Sequence, residues 1–280
     1  MANEDLSLQN QVELSIRKKF HKTIFSRFAK AIKTYQMISE GDRIAVCISG
    51  GKDSMLMAKC FQEIKKHRQV DFDLEFIVMD PGYLPANREL IESNAKALGI
   101  PIHIHDAEIF DAVYDIEKNP CYLCARMRRG HLYSIAQSHN CNKIALGHHY
   151  DDVIETILMA MLYGGQIQSM MPKLKSTNFD GMQLIRPLYL VREDDIIHWR
   201  DYNNLRFLQC ACRFTEECNL SATEDVNKSK RQEIKNLIKT LKKTNPFVEK
   251  NIFRSVENVN LDTLIEYKKD GVRHNFLDEY

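Results

Sequence analysis

Apolar and polar residues follow two different periods along the middle of the chain. Short β-branched apolar runs predict strands at Arg43–Ile48, Leu74–Met79, Ile102–His105, Lys143–Leu146 and Leu184–Leu188. Stretches of helical period lie between them at Ser54–Lys66, Leu84–Leu98, Cys124–Ser138 and Asp151–Tyr163. Strands that alternate with helices at this spacing predict an α/β fold, a doubly wound parallel sheet covered on both faces. Ligands of such sheets bind beyond the carboxyl ends of the strands.

The two ends of the chain have a different pattern. Before residue 39, apolar residues recur at helical spacing: Ile16, Phe20, Ile24, Phe25, Phe28 and Ile32. Beyond about Cys218 the chain is charged, with helical periods over Asp225–Lys243 and Pro246–Val259. We therefore predict a helical arm over residues 1–38, the α/β domain over 39–219 and a helical tail over 220–280.

Charge is concentrated in the arm. The whole chain of 280 residues has 39 basic and 38 acidic residues, so its net charge of +1 gives no global reason to expect a nucleic-acid partner. Between Leu14 and Ser39, however, seven basic residues occur with no acidic one: Arg17, Lys18, Lys19, Lys22, Arg27, Lys30 and Lys33. Such a face is either a solvated helix surface or a surface that contacts phosphates. We favour the second interpretation, with Arg17, Lys18, Lys19, Lys22 and Arg27 as the contacts.

Composition indicates a globular protein of a reducing compartment. Apolar residues make up 44% of the chain, enough for a sizeable core. Eight cysteines in 280 residues are too few for a disulfide scaffold. The first residues lack the basic and then apolar segments of a secretory signal peptide. The run Thr156–Ile167 is well short of the roughly 18 apolar residues of a membrane span. We expect a soluble, cytoplasmic protein.

A phosphate-binding loop is predicted where the first strand ends. The sequence Ser49-Gly50-Gly51-Lys52-Asp53-Ser54 follows that strand and opens a helix, where backbone N–H groups and the helix dipole favour anions. The glycines allow the backbone to approach the anion, Lys52 adds charge, and the serines offer donors. The alternative is a plain glycine turn. Asp80, which follows the second strand, is a further nucleotide-site candidate.

A second polar loop follows the fourth strand, with Gly147, His148, Asp151 and Asp152 at the start of a helix. Two adjacent carboxylates can carry Mg²⁺ or accept a proton, and His148 can donate to phosphate. The alternative makes Asp151 a helix N-cap and the histidines turn residues.

Cysteine spacing indicates a metal or redox site. Cys121 and Cys124 form a C-x-x-C, and Cys210 and Cys212 follow some 85 residues later. A C-x-x-C with a distant third thiolate suits Zn²⁺ or an iron–sulfur cluster, whereas a lone C-x-x-C can be a redox pair or two core cysteines. Our interpretation of Cys47, Cys60 and Cys141 is that they are packing residues.

These motifs resemble a known family. SGGKDS is similar to the signature loop of the PP-loop ATP pyrophosphatases, and GHHYDDVIET resembles the matching segment of PP-loop enzymes that act on tRNA. The stretch CYLCARMRRGHLY, from Cys121 to Tyr133, is similar to that of the TtcA family, the tRNA 2-thiocytidine synthetases. Similarity to the TtcA family extends from about Met37 to Cys212.

The resemblance implies a fold, an activity and cofactors. It implies a PP-loop ATPase domain of the adenine-nucleotide α-hydrolase type, ATP with Mg²⁺, and a [4Fe-4S] cluster on Cys121, Cys124 and Cys210. The implied reaction is thiolation of a tRNA cytidine to 2-thiocytidine in the anticodon loop, through an adenylated base. The implied partners are tRNA and a cysteine desulfurase or other sulfur donor, and a homodimer is compatible with it.

Residue roles follow from the crevice in which a nucleotide and RNA are expected. We expect Asp53, Asp152 and Arg128 to be catalytic, and Arg129 joins the arm as an RNA contact; the alternative is that the two arginines are surface charges of a helix. The family commonly has a second C-x-x-C where this chain has Cys210-Ala211-Cys212, so Cys212 is the rival third ligand. Two other functions are compatible with parts of the pattern: a lysidine synthetase-like ligase and a zinc-stabilised RNA-binding protein without turnover.

Overall fold

The computed structural model describes residues 7–68, 70–107, 109, 120–208 and 230–279, and of 120–125 and 279 it describes the backbone alone. By its internal contacts the chain divides into two compact units, Met1–Asp152 with Met171–Asn227 and Val153–Met170 with Lys228–Tyr280. Among the described residues, no helix combines the length and apolar composition needed to cross a bilayer. The boundaries of the arm, the α/β domain and the tail stay predictions.

The arm is helical but is not one regular helix. It consists of α1 (Leu8–Arg17), a π-helical turn (His21–Phe25) and α2 (Ser26–Thr34). The wider turn brings Phe20, Ile24, Phe25 and Phe28 into the interior together, whereas Ile32 is half-buried. The apolar period therefore correctly predicts which side of the arm is buried.

The first unit contains a six-stranded sheet. Its strands are β1 (Asp42–Ile48), β2 (Phe72–Asp80), β3 (Ile102–Asp106), β4 (Lys143–Ala145), β5 (Lys173–Lys175) and β6 (Gln183–Ile185). They lie in the order β3-β2-β1-β4-β6-β5, and all neighbouring pairs are parallel except β5 and β6. The doubly wound parallel sheet is confirmed. The antiparallel edge strand β5 was not predicted, because three residues are too few for an alternating pattern to stand out.

Helices cover the sheet. They are α3 (Lys52–Lys66), α4 (Pro85–Ala97), α5 (Pro120–Ser138), α6 (Tyr150–Gly164), which crosses the boundary between the units, and α7 (Glu193–Tyr202). Tyr133 and Ala136 of α5 pack on one face of the sheet, against Ala45, Ile77 and Ile144 among others. Because side chains alternate along β1, its remaining apolar residues point to the opposite face.

The order of strands creates a switch point between β1 and β4. The chain continues from β1 to β2 on one side and returns to β4 on the other, so the loops after β1 and β4 leave the sheet side by side. These are the two loops that the sequence singles out for phosphate chemistry. Their proximity follows directly from the topology.

The second unit is helical and contains a hairpin that the sequence analysis missed. Besides part of α6, it has α8 (Lys230–Thr244), α9 (Val248–Ser255), β7 (Glu266–Lys269) and β8 (Val272–Asn275). Asp270 and Gly271 join the strands with φ of 52° and 83°. An Asp-Gly pair at positive φ is typical of a tight hairpin, so a signal was available.

Candidate nucleotide site

The loop after β1 is a tight turn that leads into the N-terminus of α3. Gly50 has a φ of 82°, and a Cβ there would lie 2.6 Å from Ile91 Cγ1, so a side chain does not fit. The Ser49 N–H donates to Ser54 Oγ over 3.1 Å, and the Ser54 hydroxyl donates to the Gly51 carbonyl over 3.0 Å. Gly51 is the N-cap of α3 and supplies no side-chain cap. An anion is the natural partner of such a helix N-terminus.

The loop after β4 packs directly against that helix. A Cβ on Gly147 would lie 3.2 Å from Ser54 N and 3.3 Å from Asp53 C, so only glycine permits this approach without displacement. The predicted glycine is thus explained by contact between the two loops. It brings His148 and Asp152 next to the phosphate-binding loop.

Carboxylates surround the loop lysine. Lys52 Nζ lies 3.2 Å from both Asp53 Oδ2 and Glu193 Oε1. Asp151 accepts from Arg192 Nη2 over 2.9 Å and from the Glu193 N–H over 2.7 Å. The sequence analysis gives Arg192 and Glu193 no role, because their distance from the motifs in the sequence hides the contact.

His149 occupies the centre of this network, and the sequence analysis gave it no role. It is 4% exposed. Its N–H donates to Asp152 Oδ2 over 3.0 Å, and its Nδ1 lies 3.4 Å from the Asp152 N–H, a reciprocal cap at the start of α6. Its Nε2 lies 3.9 Å from Asp53 Oδ1 and 3.9 Å from Glu193 Oε1.

Two clefts open beside the phosphate-binding loop. The first, of about 400 Å³, is lined by both loops and by Arg128 and Arg129 of α5. The second, of about 950 Å³, is lined by Lys52, Asp53, Arg128 and Arg206 among others. Both volumes suit a small-molecule ligand. The predicted catalytic set Asp53, Asp152 and Arg128 therefore lies around one cleft.

Asp80 lies at the end of β2 but outside the lining of both clefts. Its carboxylate accepts from the N–H groups of Gly82 and Tyr83 over 2.9 Å and 2.6 Å, and from Arg88 Nη1 over 3.2 Å. These contacts stabilise the turn into α4. Its assignment to the nucleotide stays a prediction.

Relatives decide the family. A model of the PP-loop domain matches residues 21–213. The tRNA-cytidine(32) 2-sulfurtransferase of Geotalea uraniireducens (strain Rf4) is 36% identical over 253 residues, which cover 87% of this chain and 96% of the relative. The chain belongs to this family of PP-loop proteins. The same named enzyme of Hahella chejuensis (strain KCTC 2396) is 33% identical over 259 residues, 91% of this chain and 86% of the relative.

A solved structure agrees on the fold. The U34-tRNA thiolase NcsA from Methanococcus maripaludis, solved with its [4Fe-4S] cluster, matches with a TM-score of 0.62 at 24% identity. The match covers 83% of this chain and 76% of that one. The resemblance of this family member to the TtcA proteins and its PP-loop fold are confirmed.

The eight cysteines of this family member fall into three groups. Cys47, Cys60 and Cys141 are buried, which confirms them as packing residues, and burial raises the pKa of Cys47 to about 12 and that of Cys141 to about 11. Positions 121 and 124 belong to the first turns of α5 by their backbone. The remaining three, Cys210, Cys212 and Cys218, lie outside the described residues.

Arg186, at the end of β6, is a buried cation beside the site. It is 5% exposed, its Nη1 donates to the Met171 carbonyl, and its Nε has no hydrogen-bond partner among the described residues. Burial, reinforced by the like charge of Arg129, lowers the pKa of Arg186 to about 10. An anion in this region would relieve the unfavourable burial of charge.

The predicted RNA contacts differ in their surroundings. Arg17, Lys18, Lys19 and Lys22 are exposed, and Arg27 is half-buried. Arg27 Nη1 lies 3.1 Å from Asp195 Oδ2, Arg17 Nε lies 3.6 Å from Glu63 Oε1, and Lys19 stacks over the Tyr202 ring. Among the described residues, the side chains of Lys18 and Lys22 have no ion pair or hydrogen bond, so of the predicted contacts they are the cations best placed for an external phosphate.

Proposed function

We propose that the protein is an ATP-dependent tRNA-cytidine 2-sulfurtransferase. The observation that carries the proposal is the convergence of two family-specific loops at the switch point of the sheet, in a chain that belongs to the family of tRNA-cytidine(32) 2-sulfurtransferases. ATP binding at this point agrees with the rule that ligands of doubly wound sheets occupy the switch point.

The chemistry requires activation of the base. Oxygen at carbon 2 of cytosine is a poor leaving group, so the oxygen first attacks the α-phosphorus of ATP, and the bond from that phosphorus to the bridging oxygen breaks. Pyrophosphate leaves, and AMP is joined to the base. A sulfur nucleophile then attacks carbon 2, and the bond to the AMP-bearing oxygen breaks. The products are 2-thiocytidine, AMP and pyrophosphate.

The proposed phosphate contacts are the N–H groups of Gly50, Gly51 and Ser54, the Ser49 hydroxyl and the Lys52 ammonium. The Ser49 N–H and the Ser54 hydroxyl are bound within the loop and hold its shape. On the facing loop, Gly147 provides the close approach, and Asp151 holds the loop to α7 through Arg192. His148 would donate to phosphate. Arg128 and Asp152 line the same cleft and would orient the reacting base and the α-phosphate, while Arg129 would contact the RNA backbone.

Asp53 is suited to Mg²⁺. Its Oδ1 is buried without a hydrogen-bond partner among the described residues, and an orphaned carboxylate oxygen fits a hard cation. No three described residues are arranged to hold a metal by themselves. That agrees with Mg²⁺, which is usually held by one or two carboxylates together with substrate phosphates. Asp53 and Asp152 would supply the protein ligands and place the charge next to the polyphosphate.

We assign a [4Fe-4S] cluster to Cys121, Cys124 and Cys210. Positions 121 and 124 lie about two turns and one turn before Arg128 on α5, and the Leu208 N–H donates to the Gly50 carbonyl over 3.2 Å, so the chain leading to Cys210 runs beside the phosphate-binding loop. Soft thiolates suit an iron–sulfur cluster. A cluster held by these three cysteines would leave one iron able to bind a sulfur atom. Cys212 is the rival third ligand.

The proposed partners are tRNA and a sulfur donor such as a cysteine desulfurase, and the proposed location is the cytoplasm. Lys18, Lys22 and the other basic residues of the arm would contact tRNA phosphates. A homodimer stays a prediction.

The deciding experiment is nucleoside analysis by mass spectrometry. Anaerobically purified protein with its cluster is incubated with ATP, Mg²⁺, sulfide and unmodified tRNA. We expect 2-thiocytidine and one pyrophosphate for each thiolated base; a lysine-modified cytidine would instead indicate a lysidine synthetase, and ATP-independent tRNA binding with bound zinc would indicate a non-enzymatic protein.

Two sets of variants test the assignment of residues. Lys52→Ala should abolish pyrophosphate release and leave the iron content unchanged. Alanine at Cys121, Cys124 or Cys210 should remove iron and thiolation together, whereas Cys212→Ala should keep most of the iron. Iron that survives in Cys210→Ala but is lost in Cys212→Ala would exchange the two assignments.

A further inference from the structure

The two clefts beside the phosphate-binding loop share part of their lining. Ser49, Asp53 and Arg128 line both of them. The first cleft is otherwise formed at the carboxyl ends of β1 and β2 and by the loop after β4, which is the switch point where doubly wound sheets bind ligands. Outside the shared residues, the larger second cleft is lined mainly by α7 and residues 205–208. ATP in the first cleft would leave the second cleft for another substrate, which would meet the nucleotide at the shared wall.

Positive charge dominates the second cleft. Its lining has four cations and two carboxylates: Lys52, Arg128, Arg200 and Arg206, with Asp53 and Glu193. Both carboxylates contact Lys52, and Arg200 Nη2 lies 2.7 Å from Asp201 Oδ1. In the ranges that the structure describes, the side chains of Arg128 and Arg206 make no ion pair or hydrogen bond. Guanidinium groups bind phosphates through paired donors, so this cleft is suited to a ligand that carries phosphate.

An aromatic ring is held in the wall of the second cleft. Phe207 stacks on Trp199 of α7, with the ring centroids 5.9 Å apart and the ring planes inclined by 11°. Trp199 is fully buried, whereas Phe207 is half-buried and lines the cleft. The stack fixes the orientation of the Phe207 ring. An oriented ring beside cations is the usual platform for an unpaired nucleic-acid base.

The segment that carries Arg206 and Phe207 is attached to the phosphate-binding loop. The Leu208 N–H donates to the Gly50 carbonyl over 3.2 Å, and the Asn94 side chain donates to the Arg206 carbonyl over 2.9 Å. The backbone is therefore fixed on both sides of the ring. A base bound along this segment would adjoin the nucleotide cleft, as attack on the α-phosphorus requires.

We propose that the second cleft binds the RNA nucleotide to be thiolated, with its base stacked on Phe207 and a neighbouring RNA phosphate bound by Arg206. The inference rests on the proposed function and adds a substrate subsite to it. An enzyme that modifies a base must reach it outside the helical stack, and a splayed-out base of single-stranded RNA commonly stacks on an aromatic side chain. The shared wall would then bring the cytosine oxygen to the α-phosphate.

Steady-state thiolation by the full chain with its cluster tests the subsite. The concentrations of unmodified tRNA and of ATP are varied in turn, which separates kcat/KM for tRNA from KM for ATP. Calorimetry gives the affinity for a non-hydrolysable ATP analogue with Mg²⁺. Phe207→Leu keeps an apolar side chain against Trp199 but removes the ring, Phe207→Tyr keeps the ring, and Arg206→Gln removes the charge.

The matched control is Arg68→Gln. Arg68 is exposed, and its side chain makes no ion pair or hydrogen bond with any residue that the structure describes. It lines neither of the two clefts. This variant removes the same charge from the surface without touching the proposed subsite.

We expect Phe207→Leu to lower kcat/KM for tRNA about tenfold to a hundredfold, the effect of losing one base–aromatic stack, and Phe207→Tyr to keep most of it. Arg206→Gln should lower kcat/KM for tRNA and flatten its salt dependence by about 0.7 in logarithmic slope, for one lost phosphate contact. Both should bind the ATP analogue as tightly as the wild type. Arg68→Gln should match the wild type in every measurement.

The same measurements can overturn the inference. Unchanged kcat/KM for tRNA in either Phe207→Leu or Arg206→Gln would refute it while the proposed function stands. A loss of analogue affinity as large as the loss of kcat/KM would place the adenosine of ATP in the second cleft and refute it as well. Because Arg206 is exposed, Arg206→Gln decides the matter if Phe207→Leu unfolds at a much lower temperature. If the wild type forms no 2-thiocytidine, the proposed function fails, and the inference fails with it.

Discussion

The ion pair between Glu13 and Lys59 attaches the basic arm to the PP-loop helix, and its contribution to stability can be measured. Lys59 is fully buried on α3, and its three N–H groups meet three acceptors. Nζ lies 2.9 Å from Glu13 Oε1, 2.7 Å from Gln62 Oε1 and 2.8 Å from the Leu98 carbonyl. Glu13 also accepts from Lys66 over 2.6 Å. Removing the Glu13 charge should leave the buried ammonium without its counter-charge.

The pKa of Glu13 sets the magnitude. Burial acts to raise it, but hydrogen bonds from Lys66 and Lys59 outweigh burial and lower it from 4.5 to about 2. That difference corresponds to about 3 kcal/mol in favour of the folded state. Burial also lowers the pKa of Lys59, with Glu13 opposing this effect only in part. The ammonium is thus incompletely compensated, and about 3 kcal/mol is an upper bound for the pair.

The sign of the pH dependence follows from the lowered pKa. A carboxyl that is more acidic in the folded state stabilises fully above the unfolded pKa of about 4.5, and the stabilisation disappears as the pH falls towards 2. We expect Glu13→Gln to lower the free energy of unfolding in urea by about 2–3 kcal/mol at pH 7 and by about 1 kcal/mol less at pH 3.5. The double variant Glu13→Gln with Lys59→Met should lose less stability than the sum of the losses in the two single variants.

The matched control is an exposed ion pair of the same helix. Lys65 Nζ lies 3.0 Å from Asp73 Oδ1, and the two side chains are 43% and 66% exposed. Asp73→Asn should change stability by less than about 1 kcal/mol. A loss in Glu13→Gln no larger than in this control, or equal losses at both pH values, would refute the account of the buried pair.

Three further predictions concern the site, the arm and the sheet edge. Gly147→Ala should weaken binding of an ATP analogue more than tenfold, because the added Cβ would meet the backbone of α3. Calorimetry measures this affinity. The control is Gly164→Ala, whose added Cβ would meet no atom within 4 Å and which should bind the analogue normally. The double variant Lys18→Ala with Lys22→Ala should weaken tRNA binding and flatten its salt dependence by about 0.7–0.9 in logarithmic slope for each lost phosphate contact; an unchanged slope would make the arm a solvated surface. Burial and two neighbouring imidazoles lower the pKa of His105, so it stabilises the fold above about pH 6.5 and this stabilisation is lost as the pH falls below that value. His105→Gln should flatten the stability curve between pH 5 and 7, and an unchanged urea titration there would contradict the shift.

Local sequence determined the elements and the chemistry of the two loops. The five predicted strands occur within two or three residues of their predicted bounds, and the glycines after β1 and β4 lie where the backbone requires them. The Asp-Gly hairpin of the second unit was also within reach of sequence analysis. These features depend on periodicity, turn preferences and backbone sterics, which act over a few residues.

Only the tertiary structure decided what surrounds Lys52 and His149. Glu193 lies 44 positions beyond His149 in the sequence, and only the packing of α7 against the two loops brings the carboxylate to 3.9 Å from the imidazole. Similarly, Glu13 and Lys59 look like surface charges on two amphipathic helices until their helices pack together. The charge of a side chain is known from its residue type. Its burial and its partners depend on residues that are distant along the chain, so they are determined only when the fold forms.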